Sequence, residues 1–373
     1  MKILFFADRV NIDLFKGDSI LLKRMMQGLA ERENQVYGVC HGNSDKAKIF
    51  PPGNFWFYTK AFTFPLTSFF SFRKFISLLE KESFDAVILK LPVASASGFW
   101  AELRPLFRIS FYSRIVFELK KRKIPFFVFV EGITEKNDFV SFLMDCSKET
   151  QISLMKESNG IISLSPLQNE ILSSFGIKKP KTFFPAPVDS KKYSGKKGKF
   201  SLNLSAKKIN LLYLSSSCDL KDFIPFFGLL EENKCILYVI SPNAPDDFRK
   251  QIKQRNLEEK IIFLHGFSNK SLFGLIPFFD AGVYLKKFNS SLADASFMVK
   301  ISEYLSSGLP VLVPEINGPL LQAGKAGINF EKKTRLNKIE LKNLSLTARK
   351  IAVENLDLDK NVLKLENWMK ENK

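Results

Sequence analysis

Short apolar runs and amphipathic stretches alternate along the whole chain. The first apolar run, residues 2–7, ends at Asp8, and the apolar positions that follow Gly17 recur with helical spacing. The pattern then returns to an apolar run at residues 36–40. Short apolar strands that alternate with amphipathic helices are typical of parallel βαβ units, whose strands are buried on both faces. The sequence therefore predicts an α/β protein with doubly wound sheets.

The remaining strand and helix candidates form two successive sets. Strands are predicted at residues 86–89, 125–130, 160–164 and 182–184, and then at 210–214, 235–240, 261–264, 281–285, 310–313 and 327–330. In the second set, helices are predicted at residues 220–231, 245–256, 269–278, 297–307 and 334–353, and the tail 358–372 is amphipathic. Two tandem domains of this kind bind a ligand in the crevice between them, at the carboxyl ends of strands.

The segment 191–208 interrupts this alternation. It holds seven lysines and no acidic residue, which indicates a polar linker or an interdomain loop, and a solvated basic loop is favoured over a binding patch. We therefore predict a first domain at 1–190, a linker at 191–208 and a second domain at 209–354. The helix at 355–373 is expected to pack back on the first domain.

Length and composition limit the class of protein. The 373 residues suit two domains, and the 45% hydrophobic content is enough for buried cores. No apolar stretch reaches the length of about 18 residues that a spanning helix needs. Four scattered cysteines and two histidines lack metal-ligand spacing, so neither a metal nor a cofactor is expected. The amino terminus is interpreted as a strand rather than a signal peptide, and a reduced, cytoplasmic setting is the default expectation.

The net charge is strongly positive. Lys and Arg total 56 against 38 Asp and Glu, a formal charge of +18. A nucleic acid, an anionic membrane surface or an anionic small substrate could each explain this charge, and so could codon bias in an A+T-rich genome. No motif for reading a groove or stacking bases accompanies the lysines, so a nucleic-acid partner is not predicted.

The stretch 279–324 is the most informative part of the chain. A predicted helix that carries Glu303 ends at Gly308, a strand enters through Pro310, and Asn317-Gly318-Pro319 opens another helix. Free N–H groups at such a helix start can hold a phosphate. Taken singly, Gly308 is a common helix C-cap and Glu303 a common solvated helix charge.

Together and in this order, these features resemble the carboxyl-terminal domain of the GT-B glycosyltransferases of retaining family four. Matching segments elsewhere are Gly17-Asp18-Ser19, residues 161–165 with Glu170, residues 184–189, residues 212–214 followed by Lys221, and residues 264–267. The resemblance implies two Rossmann-like domains that face each other across a cleft. It also implies transfer of a sugar, of the hexosyl type, from a nucleotide-sugar to a polysaccharide or glycolipid precursor with retention.

The resemblance also assigns roles to residues at matching positions. Glu303 would bind the ribose, and Lys221 would face the diphosphate as a point charge. Gly17 would let the first loop approach the donor closely. The remaining donor-binding candidates are Gly266 and Phe267 at the base, the helix start at Gly318, Pro319 and Leu320 at the phosphates, and Ser216 and Lys300.

Three positions depart from the family pattern. The first acid of the family's pair is replaced by Ala295, beside Asp294, and the phosphate arginine is replaced by Ser215 or Ser216. Where the amino-terminal domain often has a histidine after a strand, this chain has Glu131. Glu131 and Asp294 are therefore the catalytic candidates. The other interpretation of Glu131 is a structural role in its loop. The alternative function is a diverged GT-B protein that binds a nucleotide-sugar or a partner without transfer.

Two segments of the first half bear on the acceptor side. Residues 54–75 contain ten aromatic side chains, and residues 101–123 interleave basic with bulky apolar residues. Such a basic helix either lies in a bilayer interface or packs on the sheet and leaves a lysine-rich end exposed. Because many relatives in the resembled family act on lipid-linked acceptors, we expect peripheral attachment at the inner face of the cell membrane.

Overall fold

The computed structural model describes most of the chain. The described residues are 1–11, 17–41, 48–50, 55–59, 66–91, 111–132, 148–193, 198, 200, 202, 204–215, 218–241, 245–265, 267, 269–286, 291–333 and 335–373.

The chain divides into two compact units. Unit 1 comprises Met1–Pro185, Ser290–Ser296 and Asp359–Lys373, and unit 2 comprises Ala186–Asn289 and Phe297–Leu358. The linker residues 191–208 thus fall within unit 2, and the last helix falls almost wholly within unit 1.

The strands of unit 1 are β1 (Lys2–Asn11), β2 (Gln35–His41), β3 (Lys48–Phe50), β4 (Phe55–Thr59), β5 (Ala86–Lys90), β6 (Phe126–Phe129), β7 (Gly160–Ser163) and β8 (Lys181–Phe183). Those of unit 2 are β9 (Ile209–Leu214), β10 (Cys235–Ile240), β11 (Ile261–Phe263), β12 (Ala281–Val283), β13 (Val311–Val313) and β14 (Gly327–Asn329). The helices are α1 (Gly17–Glu31), α2 (Leu66–Lys81), α3 (Phe111–Lys121), α4 (Lys148–Glu157), α5 (Pro166–Ser174), α6 (Leu220–Glu232), α7 (Asp246–Gln254), α8 (Asn269–Leu275), α9 (Ser291–Asp294), α10 (Val299–Ser306), α11 (Asn317–Ala323), α12 (Lys338–Asn355) and α13 (Leu358–Glu371).

Each unit is built on one sheet. The described strands of unit 1 have the order β3-β4-β2-β1-β5-β6-β7-β8, and they are parallel except where β3 meets β4. Those of unit 2 have the order β11-β10-β9-β12-β13-β14 and are parallel throughout. Every residue of β5, β6, β7 and β9 is buried, which explains their continuous apolar sequences. The predicted doubly wound α/β fold is confirmed.

Helix α3 packs its apolar face into the core of unit 1. Tyr112, Ile115 and Leu119 are buried, and the Tyr112 ring meets the Phe6 ring edge to face at 5.5 Å. Of the two interpretations of residues 101–123, the packed helix with an exposed basic end therefore describes residues 111–123; residues 101–110 lie outside the described part. None of the described helices combines the length and apolarity needed to cross a membrane.

Helix α13 covers the sheet of unit 1. The indole of Trp368 lies 5.2 Å from the ring of Phe127, between centroids, and closes over Gly160, where a methyl group would stand 2.6 Å from the indole. Arg32 Nε donates to Glu366 Oε2 at 2.6 Å. Because Gly160 has no side chain, the indole of Trp368 can approach the sheet closely. This contact sets the distance between α13 and the sheet.

The described part of the linker has exposed lysines, and its aromatic residues lie against the rest of unit 2. Tyr193 is buried edge to face on Phe273 at 4.4 Å, and Gly198 N donates to Gly274 O at 2.8 Å. The Phe200 ring packs on Phe267. The aromatic residues between the lysines hold the segment to unit 2, and charge counting alone does not detect them.

Candidate functional site

Helix α10 is seated at the carboxyl end of β9 by two of its side chains. Lys300 Nζ donates to the carbonyl of Leu214, the last residue of β9, at 2.5 Å. The hydroxyl of Tyr304 accepts from Leu214 N at 2.9 Å. The Tyr304 ring lies flat against Gly282, where a methyl group would be 2.3 Å from Cγ. Because ligands of open parallel sheets bind at the carboxyl edge, α10 is placed where a ligand is expected.

The first turns of α10 hold a cation and an acid in a partly water-excluded position. Glu303 is only 7% exposed, and Lys300 is partly buried. Burial, together with the smaller repulsion from Lys286, lowers the pKa of Lys300 to about 8, against the opposing attraction of Glu303. Burial of a charged group costs free energy, and such a group at a ligand-binding edge of a sheet is a candidate functional group. Lys300 meets both conditions.

A buried glutamine on α11 holds the start of α10. Gln322 is 3% exposed, its Oε1 accepts from Met298 N at 2.6 Å, and its Nε2 donates to Met298 O at 3.0 Å and to Ser302 Oγ at 2.8 Å. Met298 precedes α10, and no side chain caps this helix. Gln322 therefore stabilises the turn from which Lys300 projects.

The other donor-binding candidates of unit 2 lie on different elements. Lys221 is exposed in the first turn of α6, and its backbone N–H donates to Asp219 Oδ1 at 3.1 Å.

At the start of α11, fewer backbone N–H groups can donate to a phosphate than the sequence predicts. Pro319 has no N–H, and Leu320 N donates to Ile316 O at 3.2 Å, so the first-turn donors are Asn317 and Gly318.

Unit 1 brings the segments of the two catalytic candidates together through Gln168. Gln168 is fully buried on α5, and its Nε2 donates to Glu131 O at 3.1 Å, Leu292 O at 2.8 Å and Ser296 Oγ at 2.5 Å. Its Oε1 accepts from Leu164 N at 2.7 Å. The carbonyl of Glu131 and the segment carrying Asp294 are thus joined by one carboxamide.

Two further contacts complete this network. Ser165 caps α5 by accepting from Gln168 N at 3.0 Å, and its hydroxyl donates to Ala295 O at 2.6 Å. Ser296 Oγ donates to Glu131 O at 3.1 Å. The polar groups of this buried cluster satisfy one another, which favours a single arrangement of the α9 segment.

The carboxylate of Glu131 is paired with a buried lysine. Lys90 Nζ lies 3.0 Å from Glu131 Oε2, and the two side chains are 7% and 15% exposed. The hydroxyl of Tyr112 donates to the carbonyl of Lys90 at 2.8 Å. Lys90 ends β5 and Glu131 follows β6, so the pair lies at the carboxyl edge of the unit 1 sheet.

Some predicted site residues are only partly placed. Ser216 and Gly266 lie outside the described residues, and Gly17 begins α1 with no atom within 4 Å of the position that a Cβ would take. The sequence did not point to Lys90, Gln168 or Gln322. The spacing of Ser165 and Gln168 is that of a capping box and could have marked Gln168, although its side chain bonds elsewhere. No cluster of three or more potential metal ligands occurs among the described residues.

Comparison with known proteins supports the fold. No model of a protein family matches the sequence, and no curated protein matches it significantly. Among solved structures, sucrose-phosphate synthase from Thermosynechococcus elongatus has a TM-score of 0.73 at 12% identity, over 99% of this chain and 98% of that chain. The trehalose-6-phosphate synthase of Burkholderia multivorans has a TM-score of 0.64 at 12% identity, covering 99% and 98%. Anabaena HepE, solved with UDP-glucose, has a TM-score of 0.58 at 12% identity, covering 100% of both chains. The chain has the GT-B fold, as the sequence resemblance implied.

Proposed function

We propose that this protein is a glycosyltransferase that moves a sugar from a nucleotide-sugar to a polysaccharide or glycolipid precursor, with retention. The observation that carries the proposal is that α10 holds both a buried acid, Glu303, and a partly buried cation, Lys300, at the carboxyl edge of the unit 2 sheet. The end-to-end similarity to solved GT-B structures supports it. Solved structures similar to this chain include a UDP-forming trehalose-phosphate synthase and HepE in complex with UDP-glucose.

The charges of unit 2 fit a leaving nucleoside diphosphate. Negative charge develops on the diphosphate as the sugar departs, so cations and free N–H groups placed there stabilise the transition state. Lys300 and Lys221 supply the cations, Gly318 a backbone donor, and Glu303 an acceptor for ribose hydroxyls. Phe267, in the expected base loop, would line the base. Glu131 and Asp294 remain the candidates for contact with the sugar or acceptor.

A second candidate function is nucleotide-sugar binding without transfer. Ala295 stands where the resembled family has its first acid, and its carbonyl is used in the contact with Ser165. Under this alternative, a nucleoside diphosphate would bind to unit 2, but the donor would be neither transferred nor hydrolysed.

We expect Glu303→Gln to weaken binding of the preferred nucleoside diphosphate by about 10- to 100-fold, because a charge-assisted hydrogen bond to the ribose is lost. Calorimetry with UDP and GDP measures this, and release of nucleoside diphosphate from UDP-glucose or a GDP-sugar measures turnover. Glu354→Gln, at an exposed position of α12 in the same unit, is the control. Binding without turnover by the wild type would favour the second function, and failure to bind either nucleotide would contradict both.

Peripheral attachment to a membrane is part of the proposal and is supported by the exposed end of α3. Phe117 is 66% exposed, and the chain continues into Lys120, Lys121, Arg122 and Lys123, which are all exposed. Lys120 and Arg122 form ion pairs with Glu157 and Glu118, so Lys121 and Lys123 are the cations that, with Phe117, suit an anionic lipid surface. The apolar face of α3 is already used in the core, so attachment would be electrostatic and sensitive to salt.

We expect the protein to co-sediment with vesicles containing phosphatidylserine at low salt and to be released at high salt. The double variant Lys121→Glu/Lys123→Glu should reduce co-sedimentation several-fold, because each basic residue contributes about 1 kcal/mol near such a surface. Lys250→Glu/Lys253→Glu on the exposed face of α7 changes the net charge equally and serves as control. Equal loss in both variants would indicate a response to net charge alone and would contradict attachment through α3.

A further inference from the structure

The outer face of α12 carries a row of exposed aliphatic side chains. Ile339 is 71% exposed, Leu346 83% and Val353 37%. They recur every seven residues, and the exposed Asn343 and Lys350 lie between them. The five positions thus follow one another at alternating intervals of four and three residues, which is typical of the a/d seam of a coiled coil, with the aliphatic residues at d. Such a seam is narrower than the apolar face of a helix that packs on a core.

The opposite face of α12 is held by unit 2. Its buried residues are Leu341, Ala348 and Ala352. Arg349 Nη2 donates to the carbonyl of Ser190 at 2.6 Å, and its Nη1 donates to the carbonyls of Tyr193 and Ser306. The helix therefore cannot rotate to bury its aliphatic row, and the row stays exposed in the part of the chain that the structure describes.

The surface around this row is basic. Residues 332–354 contain seven basic and two acidic side chains. Arg335 and Lys342 are exposed, and no described carboxylate forms an ion pair with either. Lys350 Nζ lies 3.9 Å from Glu354 Oε1, and because more than half of each side chain is exposed, water weakens this pair. An acidic partner would complement this surface.

A second copy of the chain does not supply this complement. The five seam positions include no acidic residue, and in a parallel pair Lys350 would meet the same lysine of the copy. In an antiparallel pair, a positions pack against d positions, so Lys350 would be enclosed by aliphatic side chains without a counter-ion. Both arrangements cost free energy, and a different chain is the better partner.

A lipid bilayer also fits the row less well than a helix does. Helices that lie in a membrane interface bury a broad apolar face and keep their cations on the opposite, polar face. In α12 the cation of Lys350 lies within the row, between Leu346 and Val353, and would be buried with them. A partner helix avoids this cost by placing a carboxylate opposite Lys350.

We propose that the outer face of α12 binds an acidic amphipathic helix of another protein, with a carboxylate of that helix facing Lys350. The inference goes beyond the proposed function, because it assigns a protein partner to a surface away from the candidate site on α10. The 18 residues of α12 span about 27 Å, so a partner helix about 10 Å wide covers about 270 Å² of it. Since specific interfaces of standard size bury about 800 Å² per partner, we expect a weak, reversible complex.

The test uses a synthetic helical peptide as the probe. The peptide carries leucine at its a and d positions, except for a glutamate at the a position that faces Lys350, and glutamate at its e and g positions. Repulsion between these glutamates prevents the free peptide from pairing with itself. Fluorescence anisotropy of the labelled peptide measures its Kd for the full chain. We expect binding that weakens as the salt concentration rises.

Two matched double variants test the aliphatic row. Ile339→Gln/Leu346→Gln should weaken peptide binding by about 10- to 100-fold, because apolar contact is lost without a change of charge. It should keep the wild-type Tm, since neither side chain packs in the core. Ile224→Gln/Leu321→Gln is the control, because these side chains are 52% and 53% exposed on α6 and α11 of the same unit. The control should bind the peptide as the wild type does.

An exchange of charges tests the role of Lys350. Lys350→Glu should weaken peptide binding by about 10-fold, because it sets two carboxylates against each other. Lys250→Glu, at an exposed position of α7, changes the net charge equally and should have a much smaller effect. A peptide with lysine in place of its seam glutamate should recover binding to Lys350→Glu. Net charge alone cannot produce this recovery, because it requires residue 350 to face one position of the peptide.

The outcomes separate the inference from its alternatives. If the two double variants bind the peptide equally, or if the exchanged charges give no recovery, the inference is wrong. It is also wrong if the wild type sediments as a dimer that Leu346→Gln dissociates, or if Ile339→Gln/Leu346→Gln loses binding to phosphatidylserine vesicles, because a second copy or a bilayer then covers the face. The proposed function is judged separately, by nucleotide binding and turnover.

Discussion

Replacing Gln168 by Leu is expected to abolish most sugar transfer while leaving nucleotide binding intact. The change keeps the size of the side chain but removes its hydrogen bonds to Leu164, Glu131, Leu292 and Ser296. Buried groups left without partners cost about 1–3 kcal/mol each, partly offset by rearrangement, so unfolding free energy should fall by about 2–4 kcal/mol. Displacement of the Glu131 and Asp294 segments by about 1 Å would lower kcat about 100-fold.

The matched control for Gln168→Leu is Asn34→Leu. Asn34 is also a buried amide of unit 1, with Nδ2 donating to Leu29 O at 2.8 Å and Oδ1 accepting from the amino terminus at 2.9 Å. It precedes β2 and so lies at the amino-terminal edge of the sheet. Urea unfolding should show comparable destabilisation of both variants, and only Gln168→Leu should lose transfer. If both keep their turnover, the Gln168 network has a structural role alone.

Gly282→Ala is expected to destabilise unit 2 by about 3 kcal/mol and to weaken nucleoside diphosphate binding as well. The added methyl group would stand 2.3, 2.5 and 2.7 Å from Cγ, Cδ2 and Cδ1 of Tyr304, a fully buried ring that cannot swing aside. Relief of this overlap requires α10 to move away from β12. That movement carries Lys300 and Glu303 with it and breaks the hydrogen bond between Leu214 N and the Tyr304 hydroxyl.

Thermal unfolding and calorimetry with UDP measure the two effects of Gly282→Ala. Gly228→Ala is the control, because Gly228 lies in the interior of α6 with no atom near its missing side chain, and alanine there should stabilise by about 0.5–1 kcal/mol. The double variant Gly282→Ala/Tyr304→Leu should recover part of the lost stability, since a smaller, flexible side chain can yield to the methyl group. A wild-type Tm for Gly282→Ala would contradict the role given to this contact.

The agreement between predicted and observed elements has a simple physical origin. Strand β10 was predicted at 235–240 and spans Cys235–Ile240, because a parallel strand buried on both faces is a continuous apolar run. Helix α10 was predicted at 297–307 and spans Val299–Ser306, because Gly308, at a φ of 80°, provides the left-handed residue that ends it. Local signals were sufficient in these cases.

Elements without a local signal were not predicted. Strands β3 and β4 were missed, and β4 begins with a short run of four aromatic residues, 55–58, in which no strand or helix period can be recognised. Helix α9 is four residues long, and its segment bonds to Ser165 and Gln168, about 130 positions away. Periodicity carries no information about such distant partners.

The amino-acid sequence by itself determined the two doubly wound units and the order of the elements that carry the donor-binding candidates in the second half, because both follow from runs, spacings and caps within a few residues. Only the tertiary structure decided that Gln168 joins Glu131 to the segment of Asp294 and that Lys300 reaches the end of β9. These contacts depend on side-chain hydrogen bonds between residues 37 to 128 positions apart, which form only when the sheets and helices have been packed.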